Sequence, residues 1–317
     1  MVDADFVDTE PQARSFLRVE RSRCLRMRYA ESSCARCAAA CPSGAVRLEG
    51  GIGVDGQRCT GCLTCTTACP SGALEGKAPS DRLVGEVARH TLPVFVVGCR
   101  KSGACQHRLP CLGVLSAEHL VALYASGACL VQLDATGCAR CPASSMLERL
   151  SARLRDGAAV GGLALGDRIQ MISDPKQLDP REAPVDRRSF FSSLKDLTVR
   201  GVAAALAPPP EIEPTTSYSE KSLSARRRLL LGALPRLTEE ARRQVEETFS
   251  FTVAFDATCD GCLSCARACP TGALCDPGDE RQEDSPPRFE TDKCTGCGLC
   301  EEFCLSGAVR VSPCRTG

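Results

Sequence analysis

Cys259-Asp-Gly-Cys262-Leu-Ser-Cys265-Ala-Arg-Ala-Cys269-Pro270, followed by Cys294-Thr-Gly-Cys297-Gly-Leu-Cys300-Glu-Glu-Phe-Cys304, is the stretch on which the reading of this chain turns. Both runs follow C-x2-C-x2-C-x3-C. In that spacing three thiolates wrap three corners of an iron–sulfur cubane, while the fourth cysteine reaches to the neighbouring cluster. A modified copy lies between Cys24 and Cys69. Its second run, Cys59-Thr-Gly-Cys62-Leu-Thr-Cys65-Thr-Thr-Ala-Cys69, is regular. Its first, Cys34-Ala-Arg-Cys37-Ala-Ala-Ala-Cys41, has Glu31 where the spacing demands an opening cysteine. Cys24 is the natural substitute, since closing a somewhat longer loop adds little entropic cost. The alternative leaves Cys24 as a free thiol beside a three-iron cluster. Paired C-x2-C also suits tetrahedral zinc, but four runs with later cysteines in register favour iron–sulfur.

The 317 residues leave room for two or three domains, and 39 basic residues balance 39 acidic ones. Bulk charge therefore argues against nucleic acid or an anionic membrane surface as the partner. The 24 cysteines mean either a disulfide scaffold or metal. The opening Met1-Val-Asp-Ala-Asp lacks the basic and then apolar pattern of a secretory signal, so a reducing cytoplasm and metal thiolates are expected. No window of about 18 apolar residues could span a bilayer. Aromatic residues make up 4% and tryptophan is absent, thin material for ordinary cores in the cysteine-rich ends. Clusters would fill those cores and couple binding to folding.

Ser43-Gly44-Ala45-Val46, Ser71-Gly72-Ala73-Leu74, Thr271-Gly272-Ala273-Leu274 and Ser306-Gly307-Ala308-Val309 each follow a fourth cysteine and read as a turn into a short strand. Together these features resemble the bacterial two-cluster ferredoxin family, over roughly residues 21–76 and 251–312. The resemblance implies two α+β ferredoxin-like modules, each holding two 4Fe-4S clusters. Carried onto this sequence, it implies ligand sets of Cys24, Cys34, Cys37 and Cys69; Cys59, Cys62, Cys65 and Cys41; Cys259, Cys262, Cys265 and Cys304; and Cys294, Cys297, Cys300 and Cys269. Leu305 stands where the other copies have proline. Gly51-Ile52-Gly53-Val54-Asp55-Gly56 matches a dinucleotide fingerprint literally, but no βαβ unit surrounds it.

Between about residues 80 and 178 the pattern changes. Helical spacing at 83–88, 116–126 and 144–155 alternates with apolar runs at 94–97, 129–133 and 168–172. Such alternation implies a central α/β domain with a parallel sheet flanked by the two modules. Cys99 and Cys138 fall just after strands and should converge at the sheet's carboxyl edge with Cys105, Cys111 and Cys141. Leu109-Pro-Cys111-Leu-Gly113, the helix after Ser116 and Gly137-Cys138 resemble the iron–sulfur (delta) subunit of heterodisulfide-reductase-linked hydrogenases. That resemblance implies a flavodoxin-like fold and a fifth centre, 2Fe-2S or 4Fe-4S, on four of the five cysteines. A thiol–disulfide pair at Cys138 and Cys141 is the competing reading. His107 reads as an ordinary surface histidine, Cys129 as a small core residue, and Cys275 and Cys314 as spectators.

Residues 179–250 contain no cysteine. They read as amphipathic helices at 189–206 and 222–249, broken at Pro235 and separated by the spacer Pro208-Pro-Pro-Glu-Ile-Glu-Pro214. A semi-rigid spacer of that kind leaves the last module free to move, and the helices free to dock on a partner. Arg226-Arg227-Arg228-Leu229 resembles an export signal but is internal. Residues 1–20 read as a loosely tied tail. The expected whole is a cytoplasmic polyferredoxin passing electrons to or from a redox enzyme. The resemblances suggest a formate dehydrogenase, a hydrogenase or a heterodisulfide-reductase-like complex as that partner. The rival classes are a thiol reductase and an accessory or maturation protein.

Overall fold

The computed structural model describes residues 17–76, 80–127, 129–179, 218–278 and 285–314. The expected helix at 189–206 and the proline spacer lie outside them. Among them, no helix is long and apolar enough to cross a membrane.

The two cysteine-rich ends fold by the same rule. In the first, β1 (Leu17–Val19) pairs antiparallel with β4 (Leu74–Gly76), and β2 (Val46–Arg47) with β3 (Gly53–Val54). In the second, β9 (Phe251–Phe255) pairs with β12 (Val309–Pro313), and β10 (Leu274–Cys275) with β11 (Arg288–Phe289). Each half is closed by the same backbone bond. Glu20, Asp55, Asp256 and Glu290 donate their amides to the carbonyls of Ala73, Ala45, Ala308 and Ala273, at 2.7, 2.8, 3.0 and 2.8 Å. Residues 17–19 are thus a strand of the first module, not part of a loose tail. The glycine-rich segment at 51–56 is the β2–β3 hairpin, not a nucleotide loop.

The central domain is a four-stranded parallel sheet in the order β6-β5-β7-β8, built from β5 (Val94–Cys99), β6 (His107–Leu109), β7 (Leu130–Asp134) and β8 (Ile169–Ile172). Its β-branched strands are buried, as a sheet covered on its faces requires. The order reverses between β5 and β7, which creates a crevice outside their carboxyl ends. Strand β6 escaped the sequence pattern because three residues ending in Leu109 carry too little periodicity. Helix α4 (Ser80–Ala88) lies beside α5 (Ala117–Ser126), whose first turn is closed by a capping box of Ser116 and His119. Helix α6 (Ser145–Arg155) buries Met146 and Leu150.

The segment after residue 218 does not float. Helix α7 (Ala225–Ala233) lies against α4 and α5 and buries Leu230 and Ala233; α8 (Glu239–Phe249) buries Val245. Between them Pro235 ends the first helix in a 3-10 turn. The apolar faces of both helices are therefore spent on this chain. The C-terminal module, expected to move, is docked on the N-terminal one through a small core of Leu25, Ala268 and Leu299.

Candidate iron–sulfur centres

Four short helices each carry one cysteine as their second residue: α1 (Leu25–Arg28) aside, these are α2 (Arg36–Ala39) with Cys37, α3 (Thr64–Ala68) with Cys65, α9 (Ser264–Ala268) with Cys265 and α10 (Leu299–Phe303) with Cys300. Three of them start from a left-handed residue just after a cysteine: Leu63, Leu263 and Gly298, at φ 58°, 59° and 82°. Wrapping a chain around a central object forces that turn, and the two leucines adopt it at a steric cost of roughly 1–2 kcal/mol. At the first helix the corresponding residue, Ala35, has φ −130° instead.

Other thiols crowd around each of these four helix cysteines. Burial first, then the thiols of Cys69, Cys24 and Cys34, pushes Cys37 up to about 12. Burial, then Cys62, Cys37, Cys59 and Cys41, raises Cys65. In the C-terminal module burial and the thiols of Cys262 and Cys304 push Cys265 up to about 11. Burial and the thiols of Cys297, Cys269, Cys294 and Cys265 raise Cys300. A mostly apolar cavity is lined by Cys269, Cys294, Cys297 and Cys300, with Phe289, Val253 and Val311 around it. Among the described residues, no group of three or more His, Cys, Asp or Glu closes on a point as one bound ion requires. Thiols surrounding a cavity in an apolar wall fit an inorganic cage better than a lone cation.

Cys24 joins the first set. It is buried, follows a 3-10 turn at Arg21–Arg23 and has φ −74°, ψ 126°. Cys294, the opening cysteine of a regular run, follows the turn Thr291–Lys293 at φ −74°, ψ 130°. The two positions are built alike.

One feature of the sites escaped the sequence reading. The Sγ of Cys41, Cys69, Cys269 and Cys304 lies 3.6, 3.6, 3.6 and 3.4 Å from the hydroxyls of Ser43, Ser71, Thr271 and Ser306. The amides of Ala45 and Ala73 also donate to Cys41 and Cys69, both at 3.2 Å. Although burial raises the thiols of Cys41 and Cys304, these hydrogen bonds outweigh it and hold them below the usual value. A hydroxyl two residues after each fourth cysteine was the available signal; it reads as turn chemistry until the sulfur is seen to accept the bond.

In the central domain Cys99 ends β5, and Cys138 and Cys141 follow β7 across the crevice. Burial, then Cys99, Cys141 and Asp134, pushes Cys138 up to about 11. Burial also pushes Cys111 up to about 12, with Cys62, Cys99 and Cys138 as its neighbouring thiols. The Lys101 ammonium lies 3.5 Å from the Cys141 Sγ. Cys105 lies on the same edge: its Sγ is pressed on Gly98, where an added Cβ would lie 2.8 Å away, and burial raises its thiol, with Cys99 and Asp134 among its neighbours. His107 gives its Nδ1 to Glu86 at 2.7 Å and serves α4. Cys129 is buried, Cys275 faces Arg288 and Glu290, and Cys314 is exposed.

The 4Fe-4S dicluster domain family matches this chain twice. The matches span residues 32–73 and 241–308. The second encloses all eight cysteines of the two C-terminal C-x2-C-x2-C-x3-C runs, while the first begins after Cys24. With 24 cysteines in the chain, these matches mark an iron–sulfur electron-transfer protein with ferredoxin-type domains at both ends. No curated protein and no solved structure matches the chain.

Proposed function

We propose that the chain is a polyferredoxin-type relay of four 4Fe-4S centres and a fifth centre in the central sheet. Bound clusters supply one-electron carriers whose potentials answer to hydrogen bonds, charge and exposure. What supports the reading is that thiols of successive runs lie near one another from the C-terminal module to the central sheet. Cys265 faces Cys300 between the two sets of the C-terminal module. Cys297 and Cys34 both pack against the Leu25–Leu299 core between modules. Cys37 faces Cys65 within the N-terminal module, and Cys62 faces Cys111 at the central sheet.

In this reading the ligand sets are those implied by the ferredoxin resemblance, and Cys99, Cys111, Cys138 and Cys141 hold the fifth centre. Gly113 lets that site approach its neighbour, since a Cβ there would stand 2.1 Å from the Cys62 carbonyl oxygen. The central domain then serves as the relay's terminus, like the delta subunit it resembles. The partner is a redox enzyme of the formate dehydrogenase, hydrogenase or heterodisulfide-reductase-like class.

Iron and acid-labile sulfide counted on anaerobically purified protein, with EPR of the reduced form, test the proposal. Roughly 18 or 20 irons per chain support five centres. About 16 would leave the central site empty, and stoichiometric zinc would overturn the relay.

A further inference from the structure

The departure at Glu31 has a structural counterpart. An ordinary run would place its opening cysteine at position 31; here the chain instead inserts residues 25–33 between Cys24 and Cys34. Nearly every side chain of that insertion that leaves its own module lands on the C-terminal one. Leu25 packs with Ala268 and Leu299. The Tyr29 ring meets Phe303 edge to face, with centroids 5.0 Å apart. The Ser32 hydroxyl and the Ser33 amide donate to the Glu302 carboxylate at 2.6 and 2.5 Å. Arg28 donates to the carbonyls of Arg267 and Ala268 at 3.3 and 3.4 Å, at the carboxyl end of α9, and to that of Tyr218 at 2.9 Å. Its cation also faces the thiols of Cys269 and Cys297.

We propose that the insertion between Cys24 and Cys34 is the coupler of the two modules, with Arg28 as the positioning residue that seats the C-terminal module and biases the centre held by Cys269, Cys294, Cys297 and Cys300. This inference rests on the relay reading above. Two physical effects converge on Arg28. Its guanidinium donates to the carbonyls at a helix end, one of which also accepts from the Lys221 ammonium, which fixes the docking geometry. Its charge stabilises added negative charge at the adjacent thiolates, which raises the reduction potential of whatever they hold. An insertion with neither role would project into solvent. This one is half-buried between modules, and its apolar residues face Leu299 and Phe303.

The test uses the full-length, cluster-loaded protein and the substitutions Arg28→Gln, Arg28→Lys and the pair Tyr29→Ala with Glu302→Ala. Iron content is measured first, and wild type without iron would sink the relay reading rather than this one. With iron retained, small-angle scattering is expected to show a larger radius for Arg28→Gln and for the pair. Potentiometric EPR is expected to show one centre shifted to lower potential in Arg28→Gln and restored in Arg28→Lys. The magnetic coupling between modules, seen as EPR line broadening under dithionite, should weaken in the pair. If Arg28→Gln loses iron, the paired variant decides the docking claim alone. Unchanged scattering and unchanged coupling in that pair would overturn the proposal, as would an unshifted potential in an iron-replete Arg28→Gln.

Discussion

Arg226 and Glu118 form an ion pair, Nε to Oε1 at 3.3 Å, that ties α7 to α5 across the chain. The same guanidinium donates to the carbonyls of Thr66 and Thr67 at 3.0 and 3.1 Å, and to that of Cys69, at the end of the cysteine-bearing α3. What looked like an export signal is a brace.

Arg226→Ala is expected to destabilise the chain by about 3 kcal/mol, because it leaves a partly buried carboxylate without its cation. Parallel urea titrations of wild type and variant measure it. Glu118→Gln together with Arg226→Ala should recover part of the loss; no recovery would mean that the carbonyl bonds alone matter.

His119 sits beside this pair and makes stability depend on pH. Its Nδ1 accepts from the Ser116 amide at 3.2 Å and from the Ser116 hydroxyl at 2.8 Å, which requires the neutral ring. Burial lowers it, Glu118 pulls the other way, and Arg226 and Arg153 add to the lowering, for a net value of about 4. A histidine depressed in the fold contributes stability above its unfolded value of about 6.5 and loses it as pH falls toward 4. The wild type should therefore lose on the order of 2–3 kcal/mol over that window relative to His119→Gln. Urea midpoints at several pH values compare the two.

Gly72 has φ +68°, and a Cβ on it would stand 2.2 Å from the Ser224 Cβ at the start of α7. Gly72→Ala is expected to displace α7 and cost more than the roughly 1 kcal/mol of the backbone conformation alone. Hydrogen exchange along α7 reads the displacement. Gly50→Ala, at φ +68° with nothing within 4 Å, is the control that carries only the backbone cost.

Ser306→Ala removes a donor to the Cys304 Sγ. Hydrogen bonds to cluster sulfur stabilise the reduced form, so on the proposed relay the potential of the centre bound by Cys304 should fall while iron content holds. Potentiometric EPR on both proteins decides it. Ser71→Ala is expected to shift a different centre in the same direction.

If the proposed fifth centre is held by Cys99, Cys111, Cys138 and Cys141, Cys111→Ser should lose that centre alone and Cys105→Ser should leave it intact. Iron content and visible spectra distinguish them. Equal loss in both variants would move Cys105 into the ligand set.

Spacing carried most of the local information. The four cysteine runs, the turns after each fourth cysteine and the alternating pattern of the central domain are legible because their physics is local: a thiolate must recur within one helical turn, and a buried strand must be apolar. The helices at 225–233 and 239–249 and the stop at Pro235 were legible for the same reason. Cys24 was a candidate only by elimination; its backbone match to Cys294 needed coordinates.

The sequence alone determined that this chain has two tandem cysteine modules around a parallel sheet, since ligand spacing and hydrophobic period are written residue by residue. Only the tertiary structure decided how they meet. Leu25 against Leu299, Arg28 on the carbonyls of α9, and Gly113 against Cys62 join residues far apart in the chain. Their pairing depends on shape and charge complementarity between surfaces, which no local pattern encodes.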